Sequence, residues 1–335
     1  MRALSSLTRA VPFMRMHPLD WLVSLALPRG RFFCDGWGDR ALMAGMSEEE
    51  LLATAAPPEV GWRPARRVGE LTVQDGVFES PERRLPARVR EARVRRLARA
   101  GEPPRAALVL LASSGDQGYL VRTELVRPLL SRGVAVFLLE NAYYGGRRPA
   151  GQGGYEARTV CDLSLMGLAT VKEAKALLAL ARRECERTCV AGYSMGGNMT
   201  AVVAATVPFA VAAVPMAPSA SPAPVFTEGA LRVWPDLRAL AVERDDEEAA
   251  RERLRAWLAR FDATLLPIPR APGAAIVVGT RHDGFVPPRE MERLAAHWRC
   301  ELRWLEAGHA SGYLFYRDEL RRAILDALGR LEERV

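Results

Sequence analysis

Cys189-Val190-Ala191-Gly192-Tyr193-Ser194-Met195-Gly196-Gly197 is the stretch on which the reading of this chain turns. A short apolar run leads into Gly-x-Ser-x-Gly, and a helix-like stretch follows over 198–205, so the serine sits where a strand turns sharply into a helix. Such a turn strains the serine's backbone. The residues two before and two after it must therefore lack bulk, or strand and helix could not approach. The helix aims its N-terminus, and the amide of Met195, at any oxyanion that develops beside the serine. The competing reading is an ordinary Gly-rich turn. The strand before, the helix after and the additional Gly197 weigh against it.

Working outward, the same rhythm recurs. Apolar runs at 106–112, 134–139, 188–192, 211–216, 274–279 and 301–305 alternate with helical stretches at about 121–132, 161–184, 195–206, 287–298 and 310–332. Continuous apolar strands separated by helices predict a mostly parallel central sheet flanked by helices, with ligands bound outside the carboxyl ends of the strands. Residues 217–270 break the alternation, with a Pro-rich opening and an acidic–basic helical stretch over 243–261, and predict an inserted helical cap. Before the sheet, 66–99 offers two or three short strand-like pieces, and the periodicity of 87–98 fits helix and strand equally. A helix is expected after Met46, with Ser47 as its N-cap. The expected layout is an N-terminal extension (1–62), a first core segment (63–216), a cap or lid (217–270) and a second core segment (271–335).

A serine needs a base, and the base needs an orienting group. The chain has only four histidines. His17 lies beside a proline in the irregular N-terminus and reads as a surface residue. His297 falls inside a helical pattern. His282 reads as a loop residue or a site wall. His309, in Glu306-Ala307-Gly308-His309-Ala310, follows the last apolar run and is placed on the carboxyl edge of the sheet. The acid candidate is Asp283, in the stretch Thr280-Arg281-His282-Asp283-Gly284 directly after another apolar run. The alternatives are that Asp283 is a plain turn residue and His309 a helix N-cap neighbour. Chain order is Ser194, Asp283, His309, the order of the α/β-hydrolase fold, which is the fold class expected here.

A second oxyanion donor belongs on the loop after the first central strand, Ala112-Ser113-Ser114-Gly115-Asp116-Gln117-Gly118. The Ser114 amide is the choice by position, beside that of Met195, with Gly115 as the alternative. Asp116 is expected to hold this loop by Asx-type bonds to backbone amides. The stretch Glu140-Asn141-Ala142-Tyr143-Tyr144-Gly145-Gly146-Arg147-Arg148-Pro149 reads either as a wall of the entrance or as a packed surface turn.

Composition narrows the classes. With 335 residues, 49% hydrophobic and 26% charged, the chain is that of a globular protein, not a disordered or fibrous one. The net charge of +7 comes almost wholly from arginine, since Lys172 and Lys175 are its only lysines. Twelve arginines fall between Arg63 and Arg105 against six acids, a solvated face or a footprint for polyanions. Cys34, Cys161, Cys185, Cys189 and Cys300 have no framework or metal-ligand spacing, so reduced thiols and no metal are expected. The apolar run at 21–27, preceded by Asp20, closed by Pro28 and following Arg2, Arg9 and Arg15, is too short for a membrane span. A cytoplasmic protein is expected.

The stretches 111–116, 139–149, 162–167, 192–197 and 225–229, together with Gly36-Trp37-Gly38, resemble the family of α/β-hydrolase domain-containing protein 18. Leu-Glu-Asn-x-Tyr-Tyr-Gly combined with Ser-Met-Gly-Gly is the distinctive part, and the similarity covers about 30–330. Two departures stand out: Ala142 where the family often has proline, and Tyr193 where an aliphatic residue is common. The resemblance implies a serine hydrolase with Ser194, Asp283 and His309 as its triad, and substrates of the lipid-type acyl ester class. The expectations are therefore a small-molecule or lipid acyl ester substrate, no cofactor, no nucleic-acid partner and at most peripheral membrane contact. Two rivals remain at this stage: an acyltransferase or amidase built on the same triad, and a basic binding protein with a vestigial site.

Overall fold

The computed structural model describes residues 16–25, 29–154, 156–242 and 246–332, and in it the apolar runs form the parallel part of one sheet. Its strands are β1 (Gly61–Trp62), β2 (Arg66–Val68), β3 (Leu71–Glu79), β4 (Glu91–Arg99), β5 (Ala106–Leu111), β6 (Val134–Leu139), β7 (Thr188–Tyr193), β8 (Ala212–Met216), β9 (Ile276–Thr280) and β10 (Glu301–Leu305). Every residue of β5 through β9 is buried, which is why these strands read as unbroken apolar runs. The order is β1-β3-β4-β6-β5-β7-β8-β9-β10, with β2 paired to β3. From β6 to β10 neighbours are parallel, while β1 to β4 form an antiparallel flank joined through β4 to β6. The chain places β6 on one side of β5 and β7 on the other. The loops after β5 and β7 therefore leave the carboxyl edge side by side, at the switch point where such sheets bind ligands.

The helices are α1 (Pro18–Leu25), α2 (Arg40–Ala44), α3 (Glu48–Leu52), α4 (Ala87–Arg90), α5 (Leu120–Leu130), α6 (Val160–Ala181), α7 (Met195–Thr206), α8 (Pro222–Thr227), α9 (Leu237–Leu240), α10 (Glu247–Ala259), α11 (Pro288–Trp298), α12 (His309–Phe315) and α13 (Arg317–Glu332). α6 and α7 pack on each other against β5, β7 and β8; α5 and α13 pack on each other against β6 and β8. Two sequence expectations are refined. The stretch 87–98, which fitted helix and strand equally, is both: one turn of helix and then β4. The single helix expected over 310–332 is two, broken at Tyr316. Between β8 and β9 the chain runs through α8, α9 and α10 rather than one crossover helix, and α10 turns Ala250, Leu254 and Leu258 inward. Arg2, Arg9, Arg15 and Pro28 lie outside the described residues, as do 243–245 of the helical stretch expected over 243–261.

Most arginines of the arginine-rich flank are held in ion pairs, although twelve arginines against six acids leave it positively charged. Arg66, Arg83, Arg84, Arg90, Arg93, Arg95, Arg96 and Arg99 each pair with a carboxylate, among them Arg95 with Asp75 at 2.6 Å across the β3–β4 ribbon. Glu82, buried, takes hydrogen bonds from Arg84 and from Lys172, which also reaches Glu50. At the other end, α1 inverts the usual pattern: its carboxylate, Asp20, is fully buried, while Trp21, Leu22 and Leu25 are exposed.

Candidate active site

Ser194 sits between β7 and α7 with φ 58°, a left-handed conformation rare for a residue with a Cβ. The close approach around it requires glycine. A Cβ on Gly192 would run into the Gly196 carbonyl, one on Gly196 would lie 2.8 Å from the Leu111 carbonyl oxygen, and one on Gly197 would lie 2.6 Å from that of Met216. The turn is anchored by the Ser194 N–H, which donates to the Met216 carbonyl at 2.9 Å, and by the Asn198 N–H, which donates to the Ser194 carbonyl at 3.0 Å. Met195 is the first residue of α7, so its amide is one of those left without an intrahelical acceptor.

Ser194, Asp283 and His309 come together from three separate loops. His309 Nε2 lies 2.8 Å from Ser194 Oγ, and its Nδ1 lies 2.7 Å from Asp283 Oδ2. The Asp283 carboxylate is saturated. Oδ2 also accepts from Thr280 Oγ1 at 2.6 Å, and Oδ1 accepts from the N–H groups of Phe285 and Val286 at 2.9 and 2.8 Å. A carboxylate held this way has one direction left to use, toward the imidazole. Burial pulls the His309 imidazole down, but the charge and hydrogen bond of Asp283 and the charge of Asp20 outweigh it and raise its pKa. The backbone of His309 is gripped from both sides: its N–H donates to Asp20 Oδ2 at 2.6 Å, and its carbonyl accepts from the Tyr193 hydroxyl at 2.6 Å. Burial pushes the Tyr193 hydroxyl well up, so it stays protonated as that donor.

The other histidines take lesser places. His282 is exposed and pairs with Glu306 at 3.4 Å, a loop residue. His297 Nε2 lies 2.9 Å from the Leu266 carbonyl oxygen. His17 corrects its surface reading: it is half-buried, and its backbone N–H donates to the His282 carbonyl at 3.0 Å, tying the N-terminal segment to the loop that carries Asp283.

Ser114 lines the same pocket as Ser194 and Met195. Its loop is held differently from the expectation. Asp116 does not work through an Asx turn; its carboxylate pairs with buried Arg122 at 2.6 Å, and Arg122 donates in turn to the carbonyls of Leu110, Leu139 and Gly118. The charge pair thus clamps the carboxyl ends of β5 and β6. The 140–149 stretch is neither an entrance wall nor a surface turn over most of its length. Residues 140–144 are buried, and Arg147 is fully buried in a two-pronged pair with Glu173 at 2.6 and 2.8 Å. Of this stretch Tyr144 reaches the pocket, where its hydroxyl accepts from the Gly115 N–H at 3.4 Å.

The pocket at Ser194 is lined chiefly by apolar side chains. Leu163 and Met166 of α6 and Met199 of α7 form one side; Phe226 of α8, Trp234 and Leu266, all within residues 217–270, form the other. Among the described residues no group of three or more His, Cys, Asp or Glu is arranged to hold a metal ion, and no helix is long and apolar enough to cross a membrane.

Sheet order, elbow and loop placement together define the chain as an α/β-hydrolase. It belongs to the family described as alpha/beta hydrolase domain containing 18, whose family model matches residues 30–245 and 234–330. Among solved structures it is similar to acetyl xylan esterase 1 from Thermoanaerobacterium sp. JW/SL YS485, at 16% identity over 84% of this chain and 99% of that one, with a TM-score of 0.58. It is also similar to the acetyl xylan esterase from Paenibacillus sp. R4, at 17% identity, 92% and 99% coverage and a TM-score of 0.58. Esterase Est22 matches at 16% identity, 77% and 81% coverage and a TM-score of 0.51. At these identities the likeness is one of fold.

Proposed function

We propose that the protein is a serine hydrolase that cleaves carboxylic esters with an extended apolar acyl group. The observation that carries this reading is the chain of contacts Ser194 Oγ, His309 Nε2, His309 Nδ1, Asp283 Oδ2 at 2.8 and 2.7 Å, opening onto the apolar pocket. Asp283 accepts from the Nδ1–H, which fixes the tautomer with Nε2 as base. Nε2 takes the Ser194 proton as Oγ attacks the acyl carbonyl carbon. The amides of Met195 and Ser114 receive the tetrahedral oxyanion, and the imidazolium returns the proton to the departing alcohol. Water then repeats the cycle on the acyl-enzyme, releasing the carboxylic acid and free Ser194. Asp283 orients the imidazole and stabilises the imidazolium. In this reading residues 217–270 act as a cap whose inner face, with α6 and α7, holds the acyl chain.

The test is a panel of esters of increasing acyl length, with Ser194→Ala as blank and a fluorophosphonate probe to mark the nucleophile. Acetyl esters, the class in the names of two structural neighbours, form its short end. Labelling at Ser194, a rise of kcat/KM with acyl length, and a loss on the order of 10⁶-fold in Ser194→Ala are expected. A folded wild type that the probe does not label at Ser194 refutes the reading.

A further inference from the structure

Two glycines flank the pair that positions the proton: Gly284 directly follows Asp283, and Gly308 directly precedes His309. Neither has positive φ, so the backbone conformation does not demand glycine at either place. Space does. A Cβ on Gly284 would run into the Met16 side chain, and one on Gly308 would run into His17 Cβ and lie 2.6 Å from Asp20 Oδ2. Both glycines are therefore gaps into which residues 16–20 fit. The side chain delivered there is Asp20, which is fully buried. Its Oδ2 accepts from the N–H groups of His309 at 2.6 Å and Gly284 at 3.1 Å, and its Oδ1 accepts from that of Ala310 at 2.9 Å. A buried carboxylate is costly unless its oxygens are satisfied, and here three amides from two loops do so.

We propose that Asp20 is a positioning residue of the hydrolytic site: its carboxylate, brought in by α1, bridges the acid loop to the base loop and keeps the His309 imidazole in register with Ser194 and Asp283. The inference rests on the serine-hydrolase reading above. It makes the N-terminal segment part of the site although it touches neither Ser194 nor the pocket floor. Asp20 holds the backbone on which the imidazole rides, from the amide side, as the Tyr193 hydroxyl holds it from the carbonyl side. It also sets a second negative charge beside His309. The charged and titratable groups around that imidazole are Asp283 from the loop after β9, Asp20 from α1 and Tyr193 from β7. His17 and Tyr313 stand next to them, the latter with its ring 5.1 Å from that of Tyr193. Arg281, His282 and Glu306 pair among themselves on the outside of the same two loops.

The experiment compares wild type, Asp20→Asn and Asp20→Glu for ester turnover against pH, for fluorophosphonate labelling and for urea unfolding. Asp20→Asn removes the charge and turns one acceptor into a donor facing an amide. It is expected to lower kcat by about tenfold to a hundredfold, to leave KM within about twofold, and to move the acid limb of kcat/KM to lower pH. Asp20→Glu keeps the charge, so its acid limb stays at the wild-type pH even where its rate falls. An Asp20→Asn protein with wild-type turnover, or with lost turnover and an unmoved acid limb, overturns the proposal, the second outcome marking a purely structural contact. An inert, unlabelled wild type refutes the hydrolase reading itself and takes Asp20's role with it. If neither variant folds, amide exchange in the wild type decides: Gly284, His309 and Ala310 should be protected together, and rapid exchange at His309 overturns the proposal.

Discussion

Gly197→Ala is the sharpest probe of the elbow, because the structure fixes what the added methyl would meet. The new Cβ would lie 2.6 Å from the Met216 carbonyl oxygen and 3.2 Å from both the Met216 nitrogen and the Gly192 carbonyl oxygen, where ordinary contact begins at 3.4 Å. All three are backbone atoms at the carboxyl ends of fully buried strands, so no side chain can swing aside. Relief requires β8 and α7 to part by about 0.8 Å, and overpacking of this kind costs about 1–3 kcal/mol. The Met216 carbonyl is also the acceptor that anchors the Ser194 N–H at 2.9 Å. Moving it therefore moves Ser194, the proposed nucleophile, and misplacing reacting groups by about 1 Å costs about 10²-fold in rate. Steady-state ester hydrolysis and the rate of fluorophosphonate labelling should both fall by about that factor, with urea unfolding shifted by 1–3 kcal/mol as an estimate from the same overpacking range. Gly329→Ala is the control. It lies in α13 with nothing within 4 Å of its added Cβ, and it should gain up to about 1 kcal/mol from helix propensity with unchanged turnover. A Gly197→Ala protein with wild-type turnover and unfolding midpoint would refute the claim that contact geometry, rather than chance, selects glycine there.

Two further outcomes follow from the charges. In the proposed mechanism His309 must be neutral to accept the Ser194 proton, and its pKa is raised; activity is then expected to be lost as pH falls through a value above that of free imidazole, and a kcat/KM profile with its acid limb at or below that value contradicts the assignment. Despite its burial, Glu82 is held down to about 2 by its bonds from Arg84 and Lys172, against 4.5 for the free group. A depressed carboxylate contributes stability that is present above its unfolded pKa and lost as pH falls through the folded one, here up to about 3 kcal/mol between pH 4.5 and 2; in urea titrations Glu82→Gln should remove that part of the pH dependence, and an unchanged slope would speak against it.

The sheet was legible because burial on both faces leaves a one-dimensional trace. In β5 through β9 no residue is outside, so no polar residue interrupts the run. The elbow was legible because its glycines sit at fixed offsets from the serine in a strand–turn–helix pattern, although the backbone that Gly196 and Gly197 must clear belongs to residues 111 and 216. That Ser194, Asp283 and His309 meet at one edge was legible because each lies just past the carboxyl end of such a run. Where one face of an element meets water, or polar groups meet each other inside, that trace fades. β4 mixes buried Val94 and Leu97 with arginines that pair outward, so its periodicity fitted two structures. Arg147 and Glu173 look like surface charges until they are seen to neutralise one another at full burial, and Arg122 with Asp116 repeats the pattern.

Asp20 shows most sharply why such pairs escape the eye. It bonds to His309 across 289 positions, and its own neighbours, Leu19 and Trp21, are those of an apolar run. Nothing local requires an acid there. The trace it does leave is at the other end of the contact, in Gly284 and Gly308, which pass for loop glycines beside Asp283 and His309. Because neither has positive φ, neither is explained by its own turn. A glycine next to a reacting residue that its backbone angles do not demand is a gap reserved for another part of the chain. For this fold the useful question is then which distant segment carries a side chain short and charged enough to satisfy the amides exposed in that gap. In this chain the segment is 16–20, and its aspartate meets three amides beside Asp283 and His309.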